Sequence, residues 1–330
     1  MMHTVIESTD SKFANYWTTL FANDPLQHPL YALQKFDRPE KTTNSQFTDR
    51  SFLVVSEEQP VFGCSLTLHT DESGKKHMGY FGLDAATHVN KKTLVQPSNN
   101  FQPEAIRLLQ EHISYLIEEL QPDSLAYLDP VSCGIMSPVS QVLLEHGAQP
   151  TIHPTQVLDL NSSNRELLRN VKKTYRGYIR WGLDHLRTEI ICGELFNQTA
   201  SQFLQSLHLV ETIPQQPDRA LWRTYEELVK HGSAFLVQSR LQGQLVASSL
   251  FAYTENTCHY LTGSALSNCP DRPMLHSSIW NAILHSKKLG CSQFQLSDSA
   301  SEPAINEKNT VIAAGFGGIS HTTLKMKMNQ

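Results

Sequence analysis

The chain contains one piece twice, and this repeat constrains the fold more than any single motif does. Residues 51–66 align without a gap on residues 234–249: Phe52 falls on Phe235, Leu53 on Leu236, Val54 on Val237, Ser56 on Ser239, Gln59 on Gln242 and Ser65 on Ser248. Each copy reads as an apolar strand, a polar turn and a second strand. Each then leads, through Tyr80-Phe81-Gly82-Leu83-Asp84-Ala85 or Tyr260-Leu261-Thr262-Gly263-Ser264-Ala265, into a helix and a further strand. A long unit present only twice is a duplicated domain and not a solenoid. A chain of 330 residues is long enough for two such domains, each with its own core. The expected division is 1–160 and 161–330, with any site near the junction of the copies.

The periodicity supplies the elements. Apolar spacing predicts helices over Asp10–Phe21, Pro103–Leu120, Pro138–His146, 163–184, 199–210, 218–230 and Pro273–Lys288, with Gly147 and Gly290 as stops. Strands are expected at Ser51–Val55, Val61–His69, Gly79–Leu83, Leu125–Asp129, Gln156–Leu160, Ala234–Arg240, Leu245–Tyr253, Thr257–Thr262 and Gln293–Asp298; residues 38–50 read as a loop. The fold class is α+β: two antiparallel-rich mixed sheets flanked by helices.

Composition excludes several functions. No run of about 20 apolar residues offers a membrane span, and the amino terminus lacks a basic segment followed by an apolar one, so a cytoplasmic location is expected. Mean hydropathy is -0.33. The six cysteines are scattered without a CxxC, which fits reduced thiols. The 15 histidines form no HExxH or clustered ligand spacing, so no metal is expected. A net charge of -5 argues against DNA as a partner. GxSxG and GxGxxG are absent, which leaves hydrolase and dehydrogenase readings without support.

The carboxy-terminal half carries an ordered series: Phe235-Leu236-Val237, Ala247-Ser248-Ser249-Leu250-Phe251, Tyr260-Leu261-Thr262-Gly263-Ser264-Ala265, Leu275-His276-Ser277-Ser278-Ile279-Trp280, Leu289-Gly290 and Phe316-Gly317-Gly318. This series resembles the FemAB-like branch of the GNAT acyltransferase superfamily, whose members hold two tandem GNAT-like domains. The resemblance covers most of residues 165–318. It implies an N-acyltransferase that moves an acyl or aminoacyl group from a small-molecule donor to an amine of a cell-envelope or surface-polysaccharide precursor, with a nucleotide-sugar or lipid-linked acceptor. Acyl-CoA is one donor the resemblance implies; aminoacyl-tRNA, as in the peptidoglycan branch, is the other, and the donor stays open between them. Two departures bear on activity. The Phe-Lys pair usual before Phe-Gly-Gly is missing, Val311-Ile312-Ala313-Ala314-Gly315 standing there, and no Q/R-x-x-G-x-G/A pyrophosphate loop is present. A non-catalytic binding or scaffold pair is therefore a rival reading.

Candidate site residues follow from residue chemistry. Arg165, Arg169, Lys172, Lys173, Arg176 and Arg180 recur every three to four residues, which puts most of them on one helical face. They suit phosphate, with Lys172, Arg176 and Arg180 foremost; a solvated face paired with Glu166 and Asp184 is the plainer alternative. Acyl transfer needs a base, an oxyanion donor and a proton for the leaving group. Asp298, ending a strand, is the candidate base, and Tyr260 the candidate proton donor. Gly263-Ser264 is the candidate bulge exposing a backbone N–H, and His276, Ser277 and Ser278 open a helix whose free N–H groups suit phosphate. Gly315-Phe316-Gly317-Gly318 reads as a turn of close backbone approach.

Overall fold

A computed structural model of the chain describes residues 3–24, 28–31, 46–81, 83–92, 103–131, 135–197, 202, 219–266, 273–296 and 315–329. The chain forms two compact units. The first comprises Met1–Gln27, Tyr31–His153 and Thr322–Gln330, the second His28–Leu30 and Pro154–His321. Both are mixed α+β, as the patterning implies.

In the first unit, strands β1 (His3–Glu7), β3 (Phe52–Ser56), β4 (Gln59–Ser65) and β7 (Ala85–Val89) pair antiparallel in that order. β7 then runs parallel to β8 (Ser124–Asp129), which is flanked antiparallel by β15 (Ile319–Asn329). A side branch of β2 (Gln46–Asp49), β5 (Thr67–Thr70) and β6 (Lys76–Gly79) also joins β8. β3 is buried throughout, and apolar from Phe52 to Val55, because both its faces are covered. Phe52 and Val54 pack with Leu109 and Ile113 of helix α2 (Pro103–Leu120), and Leu53 and Val55 with Phe13 and Trp17 of α1 (Phe13–Ala22). Helix α3 (Pro138–Glu145) completes the unit.

The second unit repeats this plan. Strands β10 (Leu186–Ile191), β11 (Ala234–Leu241), β12 (Gln244–Tyr253) and β13 (Thr257–Ala265) pair antiparallel. β13 is parallel to β14 (Gln293–Leu296), and β14 antiparallel to β9 (Gln149–Asp159) over Gln156–Asp159. Phe235 and Val237 of β11 pack with Ile279 and Ile283 of α7 (Met274–Lys288), while Leu236 faces α6 (Arg219–Lys230). The repeated Phe-Leu-Val therefore directs the same side chains to corresponding helices in both units. The hairpins match in detail as well: both turn on a two-residue loop with positive φ, Glu57-Glu58 (47° and 61°) and Gln242-Gly243 (53° and 86°). Both carry a bulge at the third residue of the second strand, Val61 and Val246.

Several expected elements are corrected. The strand expected over Val61–His69 breaks at Leu66, because the Ser51 hydroxyl accepts the Leu66 N–H (3.0 Å) and donates to its carbonyl (3.2 Å), ending the β4 ladder. Of the strand expected at Gly79–Leu83, Gly79 ends β6, and mutual Tyr80–Leu83 backbone bonds of 2.7 and 2.8 Å turn the chain toward β7. Gln46–Asp49, read as loop, is strand β2, and β1, β10 and β15 are further strands absent from the sequence reading. The single helix expected over 163–184 is two, α4 (Asn164–Asn170) and α5 (Lys173–His185). Val171 and Lys172 are extended between them (ψ 137° and 143°), and the Lys172 N–H donates to Gly315 O at 2.9 Å. The helix expected at 199–210 lies, apart from residue 202, outside the described residues. Among the described residues no helix is long and apolar enough to cross a membrane. The described cysteines Cys64, Cys192, Cys258 and Cys291 are all unpaired.

Candidate active site in the second unit

β13 pairs with β12 along to Ala265 and, among the described residues, with β14 through Thr257, Cys258 and His259, opposite Gln293, Phe294 and Gln295. Against β12 the register slips between Leu250 and Phe251, so Leu261 is an extra residue and β13 bulges there. Side chains alternate along a strand, so without the bulge Tyr260 and Gly263 would face opposite sides. With it, Tyr260 lies opposite Phe251 and Gly263 opposite Ser249, on the α7 side. A Cβ at position 263 would stand 2.6 Å from both the Tyr260 hydroxyl and Ser249 Oγ. Glycine leaves these two hydroxyls their place beside the bulge. The extra residue is thus Leu261, two positions before the expected Gly263-Ser264.

The other face of the sheet holds a separate polar group. Gln238, Ser248 and Ser264 form one cross-strand row, with Gln238 Nε2 donating to Ser248 Oγ at 3.4 Å. Among the described residues, Ser264 Oγ is buried without a hydrogen-bond partner, and so are both ring nitrogens of His259. The His28 ring stands 4.4 Å from that of His259. Burial, with His28 beside it, pushes the His259 pKa well below the usual range and so favours the neutral ring.

Helix α7 lines the first face. His276, Ser277 and Ser278 are all buried in its first turns. Ser278 Oγ lies 2.9 Å from Ser239 Oγ of β11. Ser277 packs against Gly182 of α5, and its hydroxyl has no hydrogen-bond partner among the described residues. The His276 ring sits edge-on to Tyr175 and Tyr178, 4.4 and 5.0 Å between centroids, and near Phe316. Burial pushes its pKa down to about 4. Gly315-Phe316-Gly317-Gly318 is the close approach expected of it. A Cβ on Gly315 would enter the Tyr175 ring, and Gly317 and Gly318 (φ 84° and 100°) pass Asn170 O and Val157 O at 2.8 and 2.6 Å from where a Cβ would sit.

Lys172, Lys173, Arg176 and Arg180 are exposed at the start and along one side of α5. None of them takes part in the ion pairs among the described residues. Glu166, their expected partner, is held instead by the Ser163 N–H and hydroxyl at 2.9 and 2.7 Å in a capping box. Arg165 and Arg169 belong to the separate helix α4. Asp298, with the loop alternatives Glu302 and Glu307, lies outside the described residues. Reading by motif missed His259, Ser249 and the Gln238–Ser248 pair. Their signal was polar residues inside otherwise apolar strands, which a buried-polar search would find. No group of three or more potential metal ligands occurs among the described residues.

No protein-family model and no curated protein matches the chain. Solved structures do match over nearly its whole length. FemX is similar with a TM-score of 0.64 at 11% identity, over 99% of this chain and 97% of that one. A tandem GNAT protein from the clavulanic acid biosynthesis pathway gives 0.57 at 13%, over 99% and 98%. The C-terminal domain of a putative lysylphosphatidylglycerol synthetase from Agrobacterium fabrum gives 0.56 at 10%, over 96% and 92%. At these identities the likeness is one of fold. The chain has the tandem GNAT fold, as the resemblance read from its motifs implies, and FemX is among the structures that share it.

Proposed function

We propose that the protein is an N-acyltransferase whose site lies in the second unit, beside the bulge in β13. The observation that carries this reading is the bulge at Leu261 in β13, next to a glycine that clears space for Tyr260 and Ser249. An acyl group held there would meet an acceptor amine. The new C–N bond forms as the bond to the donor's leaving group breaks, the amine proton passes to a base, and the leaving group takes up a proton. Tyr260 is the proposed proton donor and Asp298 the proposed base. The exposed Lys172, Arg176 and Arg180 are the proposed phosphate contacts. The donor class is acyl-CoA, the class suggested by the tandem GNAT likeness. The acceptor read from the sequence, an amine of a cell-envelope or surface-polysaccharide precursor, rests on the motif resemblance.

The run of exposed cations also favours a second donor, aminoacyl-tRNA, whose binding would weaken steeply with salt. Thermal-shift titration with acetyl-CoA and longer acyl-CoAs at about 1 mM tests the first reading. A ligand at 100 times its Kd stabilises by about 2.7 kcal/mol, an easily measured shift. No shift with acyl-CoA, but salt-sensitive tRNA binding, would move the donor to aminoacyl-tRNA. Failure of both would leave a non-catalytic binding pair.

A further inference from the structure

The two units share a hairpin, and one row of side chains across it differs between them. In the first unit, register aligns Phe52, Cys64 and Thr87 across β3, β4 and β7. In the second it aligns Val237, Ser249 and Gly263 across β11, β12 and β13. The rows correspond, because Cys64 and Ser249 each stand three residues beyond the bulges at Val61 and Val246. Each row faces a helix, α2 in the first unit and α7 in the second.

In the first unit the row is closed. Cys64 is buried in the core, and the Thr87 hydroxyl is hydrogen-bonded to that of Tyr127. In the second unit serine replaces the cysteine and glycine the threonine. Ser249 is fully buried, and its hydroxyl has no hydrogen-bond partner among the described residues. Buried polar groups are nearly always satisfied, and one left unpaired is costly. Cys64 shows that this position packs without a hydroxyl, so packing alone does not call for serine. Gly263 adds to the contrast. A Cβ there would stand 2.6 Å from both Ser249 Oγ and the Tyr260 hydroxyl, so the two oxygens are at most twice that distance apart. One oxygen atom hydrogen-bonded to both, at about 2.7–2.8 Å from each, spans such a separation.

We propose that Ser249 contacts the substrate, its hydroxyl donating to the carbonyl oxygen of the acyl donor, beside Tyr260 and next to Gly263. This rests on the N-acyltransferase reading. A carbonyl oxygen only accepts hydrogen bonds, which suits a buried hydroxyl whose proton has no other acceptor. As the acceptor amine adds, the carbonyl π pair moves onto that oxygen. It returns as the leaving group departs with its bonding pair and takes up a proton. A donor already aimed at the oxygen counters the charge that develops there.

Calorimetric titration of the full chain tests this, with acetyl-CoA and with free coenzyme A, which lacks the acyl carbonyl. Ser249→Ala is expected to weaken acetyl-CoA about two- to tenfold, the range of one net hydrogen bond, and to leave coenzyme A unchanged. Ser249→Cys keeps the volume but offers only a weak donor, and is expected to behave as the alanine variant does. It carries the test should Ser249→Ala not fold, since cysteine already fills this position in the first unit. A purely structural serine would weaken both ligands alike. Equal losses for the two ligands, or unchanged acetyl-CoA affinity in a folded variant, overturn the role of Ser249 alone. A parent chain that binds neither ligand overturns the acyl-CoA reading and this inference with it.

Discussion

Gly177 and Gly182 lie in the same helix, α5, and offer an internally controlled test of how it docks. A Cβ on Gly177 meets nothing within 4 Å, and the residue is exposed. A Cβ on Gly182 would stand 2.5 Å from the Cβ of Ser277 on α7, and nearer still to its hydroxyl. Alanine gains about 1 kcal/mol over glycine in a helix interior, and this term is common to both sites. At Gly182 it is set against overpacking, which costs about 1–3 kcal/mol when neither side can yield. Ser277 is fully buried in the middle of the α5–α7 contact, so it has little room to give. Gly177→Ala is therefore expected to stabilise by about 1 kcal/mol. Gly182→Ala should fall below it by the packing cost alone, about 1–3 kcal/mol. Thermal unfolding reads this at about 2–4 °C per kcal/mol for a unit of this size. Combining Gly182→Ala with Ser277→Gly, against each single variant, should recover a coupling of similar size. If Gly182→Ala proves as stabilising as Gly177→Ala, α5 and α7 do not meet as described, and the placement of Arg176 and Arg180 goes with it.

Three further outcomes are expected. The Glu57-Glu58 turn holds two non-glycine residues at φ 47° and 61°; Glu57→Asn with Glu58→Gly should stabilise the first unit by about 1–2 kcal/mol in urea denaturation, and no gain would contradict the turn. Lys325 of β15 pairs with the buried Asp84 at 2.8 Å, so Lys325→Met should cost about 3–5 kcal/mol and Asp84→Asn in that background should recover much of it. The His276 pKa is pushed down to about 4 from 6.5 by burial. The unfolded ring takes up a proton as pH falls through 6.5 while the folded ring resists until about 4. Its contribution to stability is thus complete above pH 6.5 and lost as pH falls toward 4, about 3 kcal/mol in all. Denaturation of His276→Phe at pH 7 and pH 4.5 should show a smaller acid loss than the parent chain; equal losses refute the burial argument.

Local information sufficed for elements whose signals agree. Pro103–Leu120 is a helix over the range its spacing predicts, and Phe-Leu-Val at Phe52 and Phe235 marked both doubly covered strands. The strand β15 was legible too, since Leu324, Met326 and Met328 alternate with lysines, and only the search for longer apolar runs passed over it. The turn at Tyr80–Leu83 was not legible, because its residues are as apolar as a strand's and long-range packing decides their conformation. The break at Val171–Lys172 likewise follows from the Lys172 N–H bonding to Gly315, a residue far along the chain.

The sequence by itself determined the duplication, the α+β class and the Phe-Gly-Gly turn, since each rests on the period of a short segment or on a glycine's conformational freedom. Tertiary structure alone decided which polar residues meet. The bulge at Leu261 turns Tyr260 and Gly263 to one side of the sheet, and strand register gathers Ser264, Ser248 and Gln238 on the other. Which neighbour a strand residue faces depends on hydrogen-bond register with distant strands, and a one-residue slip reverses it.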